Sequence, residues 1–126
     1  MYALAMSKAF SSQHFLIGGD WGDENSPHSH QYRLEVVLEG ERLDEHGFLV
    51  DIVEFEEQID RRVRKYQGAV LNEIPAFSGL NPSIEIFCRV VAREIDGALL
   101  SKGVQSILVK IWEDDIAWAS YHLQRT

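Results

Sequence analysis

Between residues 30 and 39 the chain alternates with period two, Tyr32, Leu34, Val36 and Leu38 against Arg33, Glu35 and Glu39, and after Asp51 that period changes. From there Ile52, Phe55, Ile59, Val63 and Tyr66 follow at three- and four-residue steps. A period of two fits a strand with one buried face, and a period near 3.6 fits an amphipathic helix, so the chain must build both. Residues 2 to 14 alternate in places and read as a strand that pairs with 30 to 39. Asp51 with Glu54 offers a capping-box arrangement at the head of the first helix. A second helix is expected from about Pro82 to Leu99, with Asn81 as N-cap, Pro82 in its first turn and Ile84, Phe87, Cys88, Val91 and Ile95 as its apolar stripe. Residues 66 to 81 connect the two helices. Residues 104 to 113 and 116 to 124 read as two more strands, separated by an acidic turn at Asp114 and Asp115.

The resulting order, β-β-α-α-β-β, predicts an α+β domain whose four-stranded antiparallel sheet carries two helices on one face. The other face then needs a covering partner. With 126 residues and 45% hydrophobic content the chain has enough for one core, so a single domain over residues 1–126 is expected.

Charge narrows the partners. Lys and Arg number 12 against 20 Asp and Glu, and a formal charge of −8 repels a phosphate backbone, so no nucleic-acid partner is expected. Met1 to Met6 is apolar, but Ser7 and Lys8 interrupt it well short of a signal-peptide core or a membrane span. No membrane association and a cytoplasmic location are the expectations. Cys88 is the only cysteine, which excludes an internal disulfide and a thiolate-rich metal site. Its place on the apolar stripe of the second helix predicts a buried thiol.

Any metal must therefore rest mainly on histidine or carboxylate. His28 and His30 stand two apart at a strand entry, so the pleat points both rings to one side, as two ligands of one ion require. His14, at the end of the preceding strand, can supply a third. Three imidazoles leave the fourth position of a tetrahedral zinc ion open, the arrangement of a catalytic rather than a structural site. Spacing alone fits equally well with surface histidines that bind nothing. Between these strands, residues 18 to 27 are rich in turn formers and too long for a tight hairpin, which marks a candidate functional loop. His46 lies in a polar turn and His122 near the chain end, and neither receives a role.

An ordered set of motifs runs through the chain: Phe10-x-Ser12-x-His14, His28-Ser29-His30, Gly47-x-x-Val50-Asp51, Leu71-Asn72, Asn81-Pro82-Ser83-x-Glu85 and Trp112-Glu113. The series resembles the 6-pyruvoyltetrahydropterin synthase and 6-carboxytetrahydropterin synthase superfamily along almost the whole chain. That resemblance implies a tunnelling fold, with protomers joining their sheets into a barrel as a homo-oligomer, commonly a trimer stacked into a hexamer. It further implies a zinc ion on His14, His28 and His30, a pterin ring anchored by Glu113, and Ser83 at the place of a threonine that helps hold the pterin. Ser29 replaces the family's central glycine and, on a strand, faces away from the metal.

The chain also departs from the family. Active relatives carry a cysteine shortly before the His-x-His and an Asp-His pair before Leu-Asn; here those places hold Glu24 and Gln67-Gly68. A branch with glutamate in place of the cysteine resembles this pattern, and there the implied reaction cleaves the side chain to give 6-hydroxymethyldihydropterin. Glu24 is then the candidate general base, provided that burial or substrate acidity compensates for a carboxylate's weak basicity. Three readings stay open: a zinc-dependent lyase on a 7,8-dihydropterin, a non-catalytic pterin-binding or assembly subunit, and the usual synthase reaction run with a different base. Whether queuosine, folate or biopterin synthesis is served is left undecided.

Overall fold

The structure, a computed structural model, describes residues 1–99 and 101–125. Its elements are β1 (Tyr2–His14), β2 (His28–Gly40), α1 (Ile52–Tyr66), α2 (Ile84–Ala98), β3 (Ser106–Glu113) and β4 (Ala117–Gln124). They form one four-stranded sheet in the order β1-β2-β3-β4, every neighbouring pair antiparallel.

Register explains the core. β1 opposes β2 along its whole length, from Tyr2 facing Gly40 to His14 facing His28, so that Leu4 meets Leu38, Met6 meets Val36 and Phe10 meets Tyr32. β3 continues the rows, with Val109 opposite Val36 and Ile111 opposite Leu34, and β4 adds Tyr121 and Ala119 beside them. Because side chains alternate across the sheet, these residues share one face. Phe55, Ile59, Val63 and Tyr66 of α1 and Phe87, Val91 and Ile95 of α2 are buried against it. The opposite face carries Ser7, Arg33, Glu35, Lys110, Trp112 and Trp118, with no helix over it among the described residues. No described helix is long and apolar enough to cross a membrane.

The helix starts correct two expectations. Asp51 caps α1 by accepting the Val53 N–H at 2.9 Å, without a returning bond from Glu54 among the described residues. At α2 the N-cap is Ser83 rather than Asn81: its hydroxyl oxygen accepts the Ile86 N–H at 3.1 Å, and Pro82 falls just outside the helix. Asn81 is unavailable for capping because its amide binds the backbone of Ile17 through both ends. Strand boundaries also move by one or two residues: β2 runs from His28 to Gly40 rather than from 30 to 39, β3 starts at Ser106 rather than residue 104, and β4 at Ala117 rather than residue 116. The connection between the helices holds two short 3-10 turns, Leu71–Glu73 and Pro75–Phe77, which bury Leu71 and Phe77.

Phe87 is the hub of the core, fully buried, with edge-on rings of Phe10, Tyr32, Tyr66 and Phe77 at 5.9, 5.5, 4.9 and 5.6 Å. Phe87→Ala is expected to lower unfolding free energy by about 3–5 kcal/mol in a denaturant titration. Cys88, beside it on α2, is buried, donates its S–H to the Ala119 carbonyl, and has its thiol pushed up by burial to about 12. A thiol reagent at pH 8 should leave native protein unlabelled and modify one thiol per chain after denaturation; rapid labelling of the native chain would contradict this burial.

Candidate metal centre

Parity on three strands assembles the site. His28 and His30 on β2 face the same way; His14 lies opposite His28, Ser12 opposite His30, and Glu113 opposite Tyr32, one pleat beyond His30. All fall on the helix side at one end of the sheet. The three imidazole centroids are 4.6, 4.8 and 4.9 Å apart, with the rings steeply inclined to one another. One potential ligand atom from each lies within 4.8 Å of the other two, so the trio can hold a metal ion.

Hydrogen bonds decide which nitrogens are free. His14 Nδ1 lies 3.0 Å from the Pro82 carbonyl oxygen and His28 Nδ1 2.9 Å from that of Ser26. A carbonyl can only accept, so each Nδ1 carries the proton and donates it, leaving a lone pair on Nε2. His30 Nδ1 donates to the Asp114 carboxylate at 2.5 Å, with the same result. With Nδ1 engaged in this way, each ring has Nε2 as the nitrogen to offer a metal. Burial is the largest influence on His14 and holds it below its ordinary pKa, which favours the neutral ring that a metal needs. His30 and the Gln31 N–H together hold the Asp114 carboxyl below the usual carboxylate range.

His14 is fixed by residues for which the sequence predicted no part in the site. Past Tyr66 the chain doubles back along β1: Gly68 N–H donates to the Ser11 carbonyl, Gln13 N–H to that of Ala69, and the buried Ser12 hydroxyl to the same Ala69 oxygen. Asn72 then pairs with both backbone groups of Phe15, at 3.0 and 2.9 Å, and Asn81 pairs likewise with Ile17 at 2.7 and 3.1 Å. Each side-chain amide imitates a strand residue, and together they hold the segment leaving His14 against the start of α2. The available signal was their position in the Leu71-Asn72 and Asn81-Pro82 motifs, but nothing local in the sequence names Phe15 or Ile17 as partners.

The remaining candidates are placed unevenly. Glu113 is half-buried, with Oε1 3.7 Å from His30 Nε2, and its charge also acts on His14. Ser83 follows the carbonyl that binds His14; its oxygen accepts the Ile86 N–H of the helix cap, and its own O–H has no acceptor among the described residues. Glu24 is exposed on a 3-10 turn, Gly22–Asn25, where its carbonyl accepts the Leu16 N–H and its carboxylate has no partner among the described residues. The structure does not bring that carboxylate into the histidine cluster. Asn25 ties the loop together, donating to Leu16 and Gly19 and accepting from Trp21. Gln67, where the family pattern expects the aspartate of its Asp-His pair, accepts the Ser11 N–H through its side chain, so that position serves β1. Tyr32 is buried beside His30 with its hydroxyl unpartnered among the described residues, and burial, then Glu113 and Asp114, push its pKa upward. His46 is exposed, and His122 Nε2 lies 3.3 Å from Glu39, away from the trio.

Comparison with known proteins gives one consistent neighbourhood. The family model described as 6-pyruvoyl tetrahydropterin synthase matches residues 3–124. The 6-pyruvoyl tetrahydropterin synthase of Caenorhabditis elegans superposes with a TM-score of 0.82 at 16% identity, covering 99% of this chain and 96% of that one. A catalytic-residue mutant of the Plasmodium vivax 6-pyruvoyltetrahydropterin synthase, glutamate replaced by alanine, gives 0.81 at 14% identity with 98% of each chain covered. An uncharacterized Wolinella succinogenes protein gives 0.64 at 14% identity, covering 96% of this chain and 97% of that one. No curated protein sequence matches significantly.

Removing one amide clamp tests whether the doubled-back segment supports His14. Asn72→Ala leaves a backbone donor and acceptor of Phe15 unpaired and is expected to destabilise the fold by about 1–3 kcal/mol in chemical denaturation. An unchanged midpoint would show that water replaces the clamp without loss.

Proposed function

Because the chain belongs to the 6-pyruvoyl tetrahydropterin synthase family, we propose that it is a zinc-dependent lyase acting on a 7,8-dihydropterin with a polyol side chain, dihydroneopterin triphosphate or a relative. The carrying observation is the trio of His14, His28 and His30, whose Nδ1 protons are all engaged and whose Nε2 lone pairs remain for one ion. Three neutral imidazoles without thiolate suit Zn²⁺, and the donor set leaves a coordination position for substrate. Bound there, zinc supplies a Lewis acid for the oxygens of the pterin side chain.

The protein's own groups complete the chemistry. Glu113, on the same sheet face, accepts the two adjacent N–H groups of the pterin ring and so fixes the ring's rotation. Ser83 donates its free O–H to the heterocycle. Glu24 takes the side-chain proton; the glutamate exchanged in the Plasmodium vivax catalytic-residue mutant gives this choice its precedent. Since Glu24 is exposed in one protomer, the burial that strengthens it as a base must come from bound substrate or an adjoining subunit. A homo-oligomer, trimer or hexamer, fits the uncovered sheet face, the edge of β4 and the part of the β1 edge before Ser11, where no further strand pairs among the described residues. A cytoplasmic location without nucleic-acid partners fits the acidic balance of the chain.

One observation favours a second reading, a non-catalytic pterin-binding or assembly subunit. Gln67 and Gly68, at the places of the Asp-His pair that the resemblance leads one to expect, are spent on hydrogen bonds to β1, and the lone thiol is sealed in the core.

Zinc-loaded protein incubated with dihydroneopterin triphosphate should release a shortened pterin identifiable by mass spectrometry, and Glu24→Ala should lower kcat by about 10²–10⁴-fold. Binding without product would favour the second reading, whereas full activity of Glu24→Ala would remove only that base. His30→Ala is expected to lose stoichiometric zinc, measured as metal per chain.

A further inference from the structure

The three ligand histidines do not rest on equivalent supports. His14 and His28 donate to neutral backbone carbonyls at 3.0 and 2.9 Å, whereas His30 donates to the carboxylate of Asp114 at 2.5 Å. A charge-assisted bond is shorter and roughly twice as strong as a neutral one, so His30 has the firmest orientation and the strongest electron supply.

The acceptor is itself immobilised. Asp114 Oδ2 accepts the His30 Nδ1–H, Oδ1 accepts the Gln31 N–H at 2.9 Å, and the Asp114 N–H donates to the Gln31 carbonyl at 2.7 Å. Asp114 and Asp115 have φ of 53° and 56°, and the Ile116 N–H closes the turn onto the Glu113 carbonyl at 3.2 Å. Left-handed φ at both central residues is the type I′ arrangement that matches strand twist, and Asp tolerates it through its short polar side chain. The turn joining β3 to β4 thus reaches across to β2 and meets His30 on its Nδ1 side, while Glu113, one residue earlier, stands nearer Nε2.

We propose that Asp114 is a positioning residue of the metal centre: its carboxylate fixes the His30 ring with Nε2 toward the ion and strengthens that nitrogen as a ligand. The inference rests on the zinc reading of the histidine trio given above. It assigns a role to the acidic turn that composition alone would class as solvated surface. In this role Asp114 acts through His30, whose Nδ1–H it accepts.

Two substitutions separate this role from simple turn formation. Asp114→Gly keeps the left-handed turn, since glycine adopts positive φ freely, but removes the acceptor. Asp114→Asn keeps the size but has only one oxygen for two N–H donors; wherever its NH₂ faces the ring, it favours the tautomer with the proton on Nε2, where the metal belongs. Asp115→Gly in the same turn is the control, because Asp115 makes no hydrogen bond to a histidine among the described residues. Zinc affinity is measured by competition with a chromogenic chelator, and cobalt-substituted protein reports coordination through its visible d–d bands. Both Asp114 variants should bind zinc about 10–100-fold more weakly and shift the cobalt spectrum, with Asp115→Gly staying within about 2-fold of wild type. Circular dichroism of the metal-free Asp114→Gly chain guards against simple unfolding. Wild-type affinity and spectrum in both folded Asp114 variants would overturn the inference alone. A wild-type protein that takes up no zinc would overturn it together with the reading on which it rests.

Discussion

The antiparallel register between β1 and β2 is the constraint on which the rest of the molecule depends. It sets His14 opposite His28 at one end and, at the same time, Phe10 opposite Tyr32 and Leu4 opposite Leu38 in the core. A slip of one residue would turn every side chain of a strand to the other face, removing the apolar layer beneath the helices and separating the imidazoles in a single step. Burial of Leu34, Val36 and Leu38 therefore holds the candidate metal centre in register as firmly as it holds the fold. The site needs no separate folding device.

Beyond the end of β1 regular pairing stops, and side chains take over the work of a strand. Asn72 and Asn81 supply a donor and an acceptor each to Phe15 and Ile17, where no neighbouring strand among the described residues does so. Backbone polar groups left unpaired near a core are expensive, and two amides satisfy four of them here. The same arrangement brings the Pro82 carbonyl to His14, so that the connection between the helices orients a ring on a strand. Committing Asn81 to that task leaves Ser83 to cap α2.

The departures from the family pattern have physical counterparts. Gln67 and Gly68 follow the end of α1 and bond to Ser11, the glutamine through its side-chain oxygen and the glycine through its backbone at φ +70°. They brace β1 at the places where the family pattern expects an Asp-His pair. Cys88 lies under the sheet, its ionisation suppressed, and is no substitute for a reactive thiol. What remains beside the site is carboxylate, Glu113 and Asp114 around His30, while Glu24 stays on its exposed turn outside the histidine cluster.

Period and parity are local properties, and so the sequence by itself determined the β-β-α-α-β-β order, the apolar stripes of both helices, the burial of Cys88 and the common side of His28 and His30. The ordered motifs added His14 and Glu113 as members of the same constellation. Tertiary structure alone decided the partners: which carbonyl binds His14, that Asn81 grips Ile17 instead of capping α2, that Asp114 reaches His30 across 84 positions of sequence, and that Glu24 stays exposed. A hydrogen bond between residues far apart along the chain leaves no periodic trace, because its geometry exists only after strands, turns and helices have docked.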